Sequence, residues 1–115
     1  MISTTCQHID FEPNYPCECS RVVVWADSTP LASADIAADR AFVSLQFAVT
    51  PGHLPTHARV DLLEAVFGLL GDRPRRIVLA AIPLGDCDLL AGLTGYLTDV
   101  RTRAAGATCL IAART

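Results

Sequence analysis

The sequence predicts an α/β domain: a four-stranded mixed sheet with two main helices on one face, in the order strand, strand, helix, strand, helix, strand. Three observations carry that prediction. Short β-rich apolar runs recur at Val22 to Trp25, Phe42 to Val49, Ile77 to Ile82 and Cys109 to Ala112, and runs of that length suit half-buried or buried strands. Between them lie stretches with leucines at helical spacing,. The last third of the chain reads as strand, acidic turn, helix and strand, an arrangement that sets polar residues where a strand ends and a helix begins.

Residues 1–19 hold Pro13, Pro16, Cys6, Cys17 and Cys19 without periodicity, and read as an irregular N-terminal segment ahead of a single domain over residues 20–115. Ser20 to Ala26 is the first strand, rich in β-branched valine. Ser28-Thr29-Pro30 marks a turn. Ala32 to Ala41 has helical propensity but little apolar stripe, which predicts a loop or one short helix. Phe42 to Val49 alternates: Val43, Leu45, Phe47 and Val49 share one apolar face, opposite Phe42, Ser44, Gln46 and Ala48. Thr50-Pro51-Gly52 ends it. A helix follows from Thr56, read as its N-cap, to Leu70, with Leu62, Leu63, Val66, Phe67, Leu69 and Leu70 on a broad apolar face. Gly71 stops it. The third strand runs from Arg76 to Ile82. Leu89, Leu93, Leu97 and Val100 then extend a second helix to Gly106, with Arg101 and Arg103 suited to its C-terminal dipole. Thr108 to Ala112 is the final strand. Strand–helix–strand connections are right-handed and join parallel strands.

Composition narrows the function. The chain has 115 residues, enough for one core, and 51% of them are hydrophobic,. All nine basic residues are arginine and the net charge is −3, so no basic stripe favours nucleic acid. No apolar run approaches the ~20 residues of a membrane span, and the N-terminus lacks a signal-peptide pattern. A cytoplasmic location is the expectation. Five cysteines, an odd number, suit reduced thiols better than a disulfide framework.

Several residues could carry chemistry. Asp86 or Asp88 can cap the second helix, and together they present negative charge for a docking partner. Cys87 lies at a helix start, where the dipole favours a thiolate, but two flanking carboxylates oppose it; a thiol- or metal-dependent small enzyme using Cys87 or the N-terminal cysteines is one alternative. Cys6, His8, Cys17 and Cys19 together could offer soft zinc ligands, although one residue between paired cysteines is awkward spacing; no metal site is expected. His53 and His57 are separated by Pro55, which breaks a common helix face. Gly92 and Gly95 inside the second helix suggest close approach to the sheet or to a partner. No cofactor is implied.

With these loop chemistries, the element order resembles the STAS domain of bacterial anti-sigma factor antagonists. Pro51-Gly52-His53-Leu54, leading into the first helix, is similar to that family's turn after its second strand. Asp86-Cys87-Asp88-Leu89-Leu90 falls where the family carries its phosphorylated serine, here replaced by Asp88. Arg103 to Ile111 matches the family's last turn and strand. The resemblance implies a non-enzymatic regulatory module that docks an anti-sigma-like or kinase-like protein partner through Asp86, Cys87, Asp88, Leu89, Gly52 and His53, with Thr94 and Thr98 as possible phosphorylation sites. The family usually continues with a further helix. Without one, uncovered surface favours a homodimer or a structural subunit of a larger assembly.

Overall fold

The computed structural model describes residues 2–12, 15–52, 54–71 and 76–115. Its elements are β1 (Ile2–Glu12), β2 (Tyr15–Ala26), β3 (Thr29–Ala38), β4 (Phe42–Val49), α1 (Thr56–Leu70), β5 (Ile77–Pro83), α2 (Cys87–Thr94), β6 (Thr98–Ala105) and β7 (Thr108–Arg114). They form one seven-stranded sheet in the order β1-β2-β3-β4-β5-β7-β6. Every neighbouring pair is antiparallel except β4 with β5, which run parallel across the α1 crossover.

The expected four-stranded sheet is therefore corrected to seven strands, and each added strand has a physical cause. The stretch read as irregular holds β1, which pairs along β2 from Ile2↔Val24 to Glu12↔Tyr15. The stretch read as loop or helix is β3. Its period is two, with Ala32, Ala34 and Ile36 buried, and pairing with β2 on one side and β4 on the other overrides the helical propensity of alanine. The long second helix stops early. α2 ends at Thr94, and turn bonds from Tyr96 N–H to Leu93 O (3.1 Å) and Leu97 N–H to Thr94 O (3.3 Å) lead out of it. Thr98, Val100 and Thr102 then favour a strand, and Gly106 turns β6 into β7 at φ +61°. A positive-φ glycine suits a two-residue hairpin turn. Because β6 intervenes, β7 returns antiparallel to β5, where the sequence suggested a parallel pair.

The core lies between the helices and one face of the sheet. Ala58, Leu62, Leu63, Val66 and Leu70 of α1 and Leu89 and Leu93 of α2 meet Val22, Val24, Ile36, Val43, Leu45, Phe47, Val78, Ile82 and Ile111. α2 approaches α1 closely at Gly92, where a Cβ would sit 2.6 Å from Leu63 Cδ1. Phe67 and Tyr96 stack with ring centroids 4.3 Å apart. Arg76 is buried at the base of α1, and its Nη2 donates to Leu70 O at 2.6 Å. That places a cation at a helix C-terminus, where the dipole favours it.

Candidate functional site

The parallel strands β4 and β5 pair only from Phe42↔Ile77 to Gln46↔Ala81. Beyond that point β4 runs on to Val49 and β5 to Pro83 without each other. Their ends are held apart from opposite sides. Thr50 bonds back toward β3: its N–H donates to Leu31 O (2.9 Å) and its Oγ1 to Pro30 O (2.8 Å). Leu84 N–H donates to Ala107 O (2.9 Å) in the β6–β7 turn. The result is a wedge at the C-terminal ends of the parallel pair, with the edge of β4 over Phe47 to Val49 unpaired toward β5. Backbone N–H and C=O groups left open in this way are strong hydrogen-bonding partners for a ligand.

At the mouth of the wedge stands the N-terminus of α1. Its cap residue Pro55 makes no side-chain bond, and its first turn has no acidic residue. Ala58 N–H turns back to Pro55 O (3.0 Å), and no acidic side chain neutralises the N–H groups of Thr56 and His57 ahead of it, a setting that favours an anion,. His57 is exposed beside them, and Gly52 lies open at φ +114°. Arg59, in the same turn, is engaged elsewhere: its Nε lies 2.9 Å and 3.1 Å from the two Asp86 carboxylate oxygens, and its Nη2 3.0 Å from one of them.

Asp86 is thus occupied twice. It accepts from Leu89 N–H at 3.0 Å as the cap of α2 and holds Arg59, with only 9% of its side chain exposed. Of the other residues singled out from sequence, Leu89 is fully buried, while Cys87 and Asp88 are exposed. Gly52 lies in the loop after β4, at the same end of the parallel pair as Asp86, and His53 falls outside the described residues. Thr94 Oγ1 donates to Ala91 O (2.9 Å) and Thr98 Oγ1 to Arg114 O (3.3 Å). The side chains of Cys6, His8 and Cys17 are outside the described part, and among the described residues no cluster could hold a metal. Cys19 is half-buried and Cys109 buried.

Sequence reasoning missed the sheet's other face. Register partners share a face, so Arg103, Leu110, Ala81, Gln46, Asp35 and Arg21 form one line across β6, β7, β5, β4, β3 and β2. Arg101, Ala112, Leu79, Ser44, Ala37 and Cys19 form the next. No described helix packs there: Leu79 is 50% exposed and Phe42 49%. The small side chains hollow a trough of about 560 Å³ over β4 to β6. A second hollow of about 550 Å³ continues it over β2 and β3, sharing Ser44 and Gln46. Arg21 is paired with Asp35 at 2.9 Å. Gln46, the last paired residue of β4, joins trough to wedge. The sequence signal was the alternation of arginines at 101 and 103, which reads as a strand once the helix is not extended.

This architecture matches solved structures. A candidate acetyltransferase from Sphaerobacter thermophilus superposes with a TM-score of 0.59 over 91% of this chain and 68% of that one, at 19% identity. A candidate acetyltransferase from Salmonella typhimurium, solved with its cofactor acetyl-CoA, gives a TM-score of 0.53 over 88% of this chain and 64% of its own, at 13% identity. The chain shares the fold of these two candidate acetyltransferases. No family model and no curated protein matches the sequence.

The likeness overturns the STAS resemblance. That resemblance needed a helix over residues that form β6, and a final strand parallel to its neighbour. The expectation of a non-enzymatic, anti-sigma-antagonist-like module rested on it and is corrected with it, since this fold is shared with candidate acetyltransferases. No described helix is long and apolar enough to cross a membrane.

Proposed function

We propose that this chain is an acyltransferase domain that moves an acetyl group from acetyl-CoA to an amine. The observation that carries the reading is the β4–β5 wedge beside an uncapped helix start, within a fold shared with candidate acetyltransferases.

The donor set suits the cofactor. The N–H groups of Thr56 and His57 at the start of α1, with no carboxylate in that turn, would hold its phosphates. The unpaired edge of β4 over Phe47 to Val49 would take its extended arm by main-chain hydrogen bonds. Acetyl-CoA, when bound, supplies an activated thioester. The chain's own share is to orient the acetyl carbonyl against fixed backbone donors, which stabilise the charge that develops on its oxygen, and to exclude water from the wedge.

The acceptor class follows from what the trough offers. Asp35 is held by Arg21, and the hollow over β4 to β6 is lined by no carboxylate, imidazole or phenol among the described residues. A hydroxyl acceptor needs a positioned base to become nucleophilic. An amine needs none once its ammonium form has lost a proton to solvent; the C–N bond then forms as the C–S bond breaks, coenzyme A leaves as the thiol, and the second amine proton balances it.

Calorimetric titration with acetyl-CoA, followed by mass detection of acetylated amines, tests the reading. The chain contains no lysine, so acetyl found on an added amine is free of a background from side-chain amines of the protein. Absence of any binding heat at millimolar acetyl-CoA overturns it.

A further inference from the structure

The trough is not uniform, and its charges indicate what it accepts. Arg101 and Arg103 lie two residues apart on β6 and face the same way. Like charges so placed repel. The chain's other exposed face pair, Arg21 with Asp35, and its half-buried pair, Arg59 with Asp86, are both compensated. Among the described residues, Arg101 and Arg103 have no carboxylate within ion-pair distance, although the chain carries twelve acidic residues. Between them and Gln46 lies an apolar floor of Leu79, Ala81, Leu110 and Ala112. From Gln46 on β4 to Arg103 on β6 is three strand spacings, about 14 Å, part of which the long arginine side chains reach back over,. The volume of about 560 Å³ lies within the range of small-molecule sites,.

Resting on the acyltransferase reading above, we propose that this trough is the acceptor site and that it selects amines carrying an anionic head, carboxylate or phosphate, at the far end of an apolar linker. The amine lies at Gln46, where trough meets wedge, the linker crosses Ala81 and Leu110, and the head is taken by the two guanidinium groups. Arginine rather than lysine suits this role because its planar fork binds carboxylate or phosphate through paired hydrogen bonds. The competing explanation is that the arginines only guard the exposed edge of β6 against strand pairing. Any cation would do that.

The test compares n-hexylamine, 6-aminohexanoate and 6-aminohexyl phosphate on the full chain. Two readouts are used: acetyl transfer, and backbone amide shifts of the isotope-labelled protein without acetyl-CoA. Transfer to at least one anionic amine is expected to exceed that to hexylamine by about 10- to 100-fold in kcat/KM, the range for hydrogen bonds to a charged group. Which of the two anionic amines is preferred distinguishes carboxylate from phosphate. The double variant Arg101→Lys, Arg103→Lys keeps the edge charge, and is expected to lose most of that preference. Arg101→Gln, Arg103→Gln abolishes it. Equal rates for all three amines, or a full preference retained in the lysine variant, overturns the proposal. If no amine is acetylated, the acyltransferase reading fails. In that case, shifts from the anionic amines concentrated at 79–81, 101–103 and 110–112, and absent with hexylamine, still uphold the anion trough; their absence overturns it as well.

Discussion

Replacing Asp86 removes two bonds that no other residue can make. Its carboxylate caps α2 through Leu89 N–H and simultaneously holds Arg59 of α1, with side-chain exposures of 9% and 21%. An N-cap is worth about 1 kcal/mol. Breaking a fully buried pair costs about 3–5 kcal/mol because a charge is stranded, but Arg59 keeps part of its surface in water, so about half of that range applies. Asp86→Ala is therefore expected to cost about 3 kcal/mol. Asp86→Asn keeps a cap oxygen and loses only the charge, so it should cost about 1.5–2 kcal/mol. Arg59→Met keeps the apolar stem and strands Asp86, which still caps the helix; it should cost about 1–2 kcal/mol. Urea unfolding of the two single variants and of Asp86→Asn with Arg59→Met gives the coupling directly. The double variant should cost about 1–2 kcal/mol less than the sum of the singles. Strict additivity would refute the pair as an energetic link between the helices, and equal costs for alanine and asparagine would refute the cap.

Other outcomes follow from single features. Asp39 turns β3 into β4 by accepting from Phe42 N–H (2.7 Å) and Ala41 N–H (2.8 Å), bonds that hold its carboxyl below the ordinary carboxylate value. A lowered folded value means the stabilisation is present above the unfolded pKa and fades as pH falls through the folded one; a carboxyl carbon titration with a midpoint at or above that of the unfolded chain would contradict this. Two helix-interior glycines should respond oppositely to alanine. Gly68→Ala meets nothing within 4 Å and should stabilise by about 0.5–1 kcal/mol, whereas Gly92→Ala drives a Cβ into the buried Leu63 side chain and should destabilise by about 1 kcal/mol net,. Arg76→Ala should cost about 3 kcal/mol through a cavity and an unpaired Leu70 carbonyl, with Arg76→Met nearer 1 kcal/mol because the stem volume is kept,; thermal unfolding separates the two.

The parts of the fold that could be read from sequence were those with large apolar side chains at a clean period. β4 showed its buried face through Val43, Leu45 and Phe47, and α1 showed its core stripe through Leu62, Leu63, Val66 and Leu70. β3 was hidden because its buried residues are mostly alanine, which hydropathy and propensity both assign to helices. β6 was hidden because Leu97 and Val100 continue a helical spacing from Leu89 and Leu93, while its own alternation is carried by exposed arginines and threonines. Losing β6 lost the trough with it. The wedge has no sequence signature, since it arises from two bonds, at Thr50 and Leu84, to distant elements.

Those two bonds also divide the sheet mechanically. One plate consists of β1 to β4 and the other of β5, β7 and β6. They are joined within the sheet by only the five register positions from Phe42↔Ile77 to Gln46↔Ala81, with α1 bridging below. The seam is closed at the Phe42↔Ile77 end and open at the wedge. A molecule that prised the open end would move the arginine-bearing plate relative to the plate that carries Ser44 and Gln46; amide shifts at 101–103 on adding acetyl-CoA are the expected sign, and their absence would refute it. The two clefts meet at Gln46, so on the acyltransferase reading their ligands are coupled directly, and by reciprocity each alters the affinity for the other by the same factor.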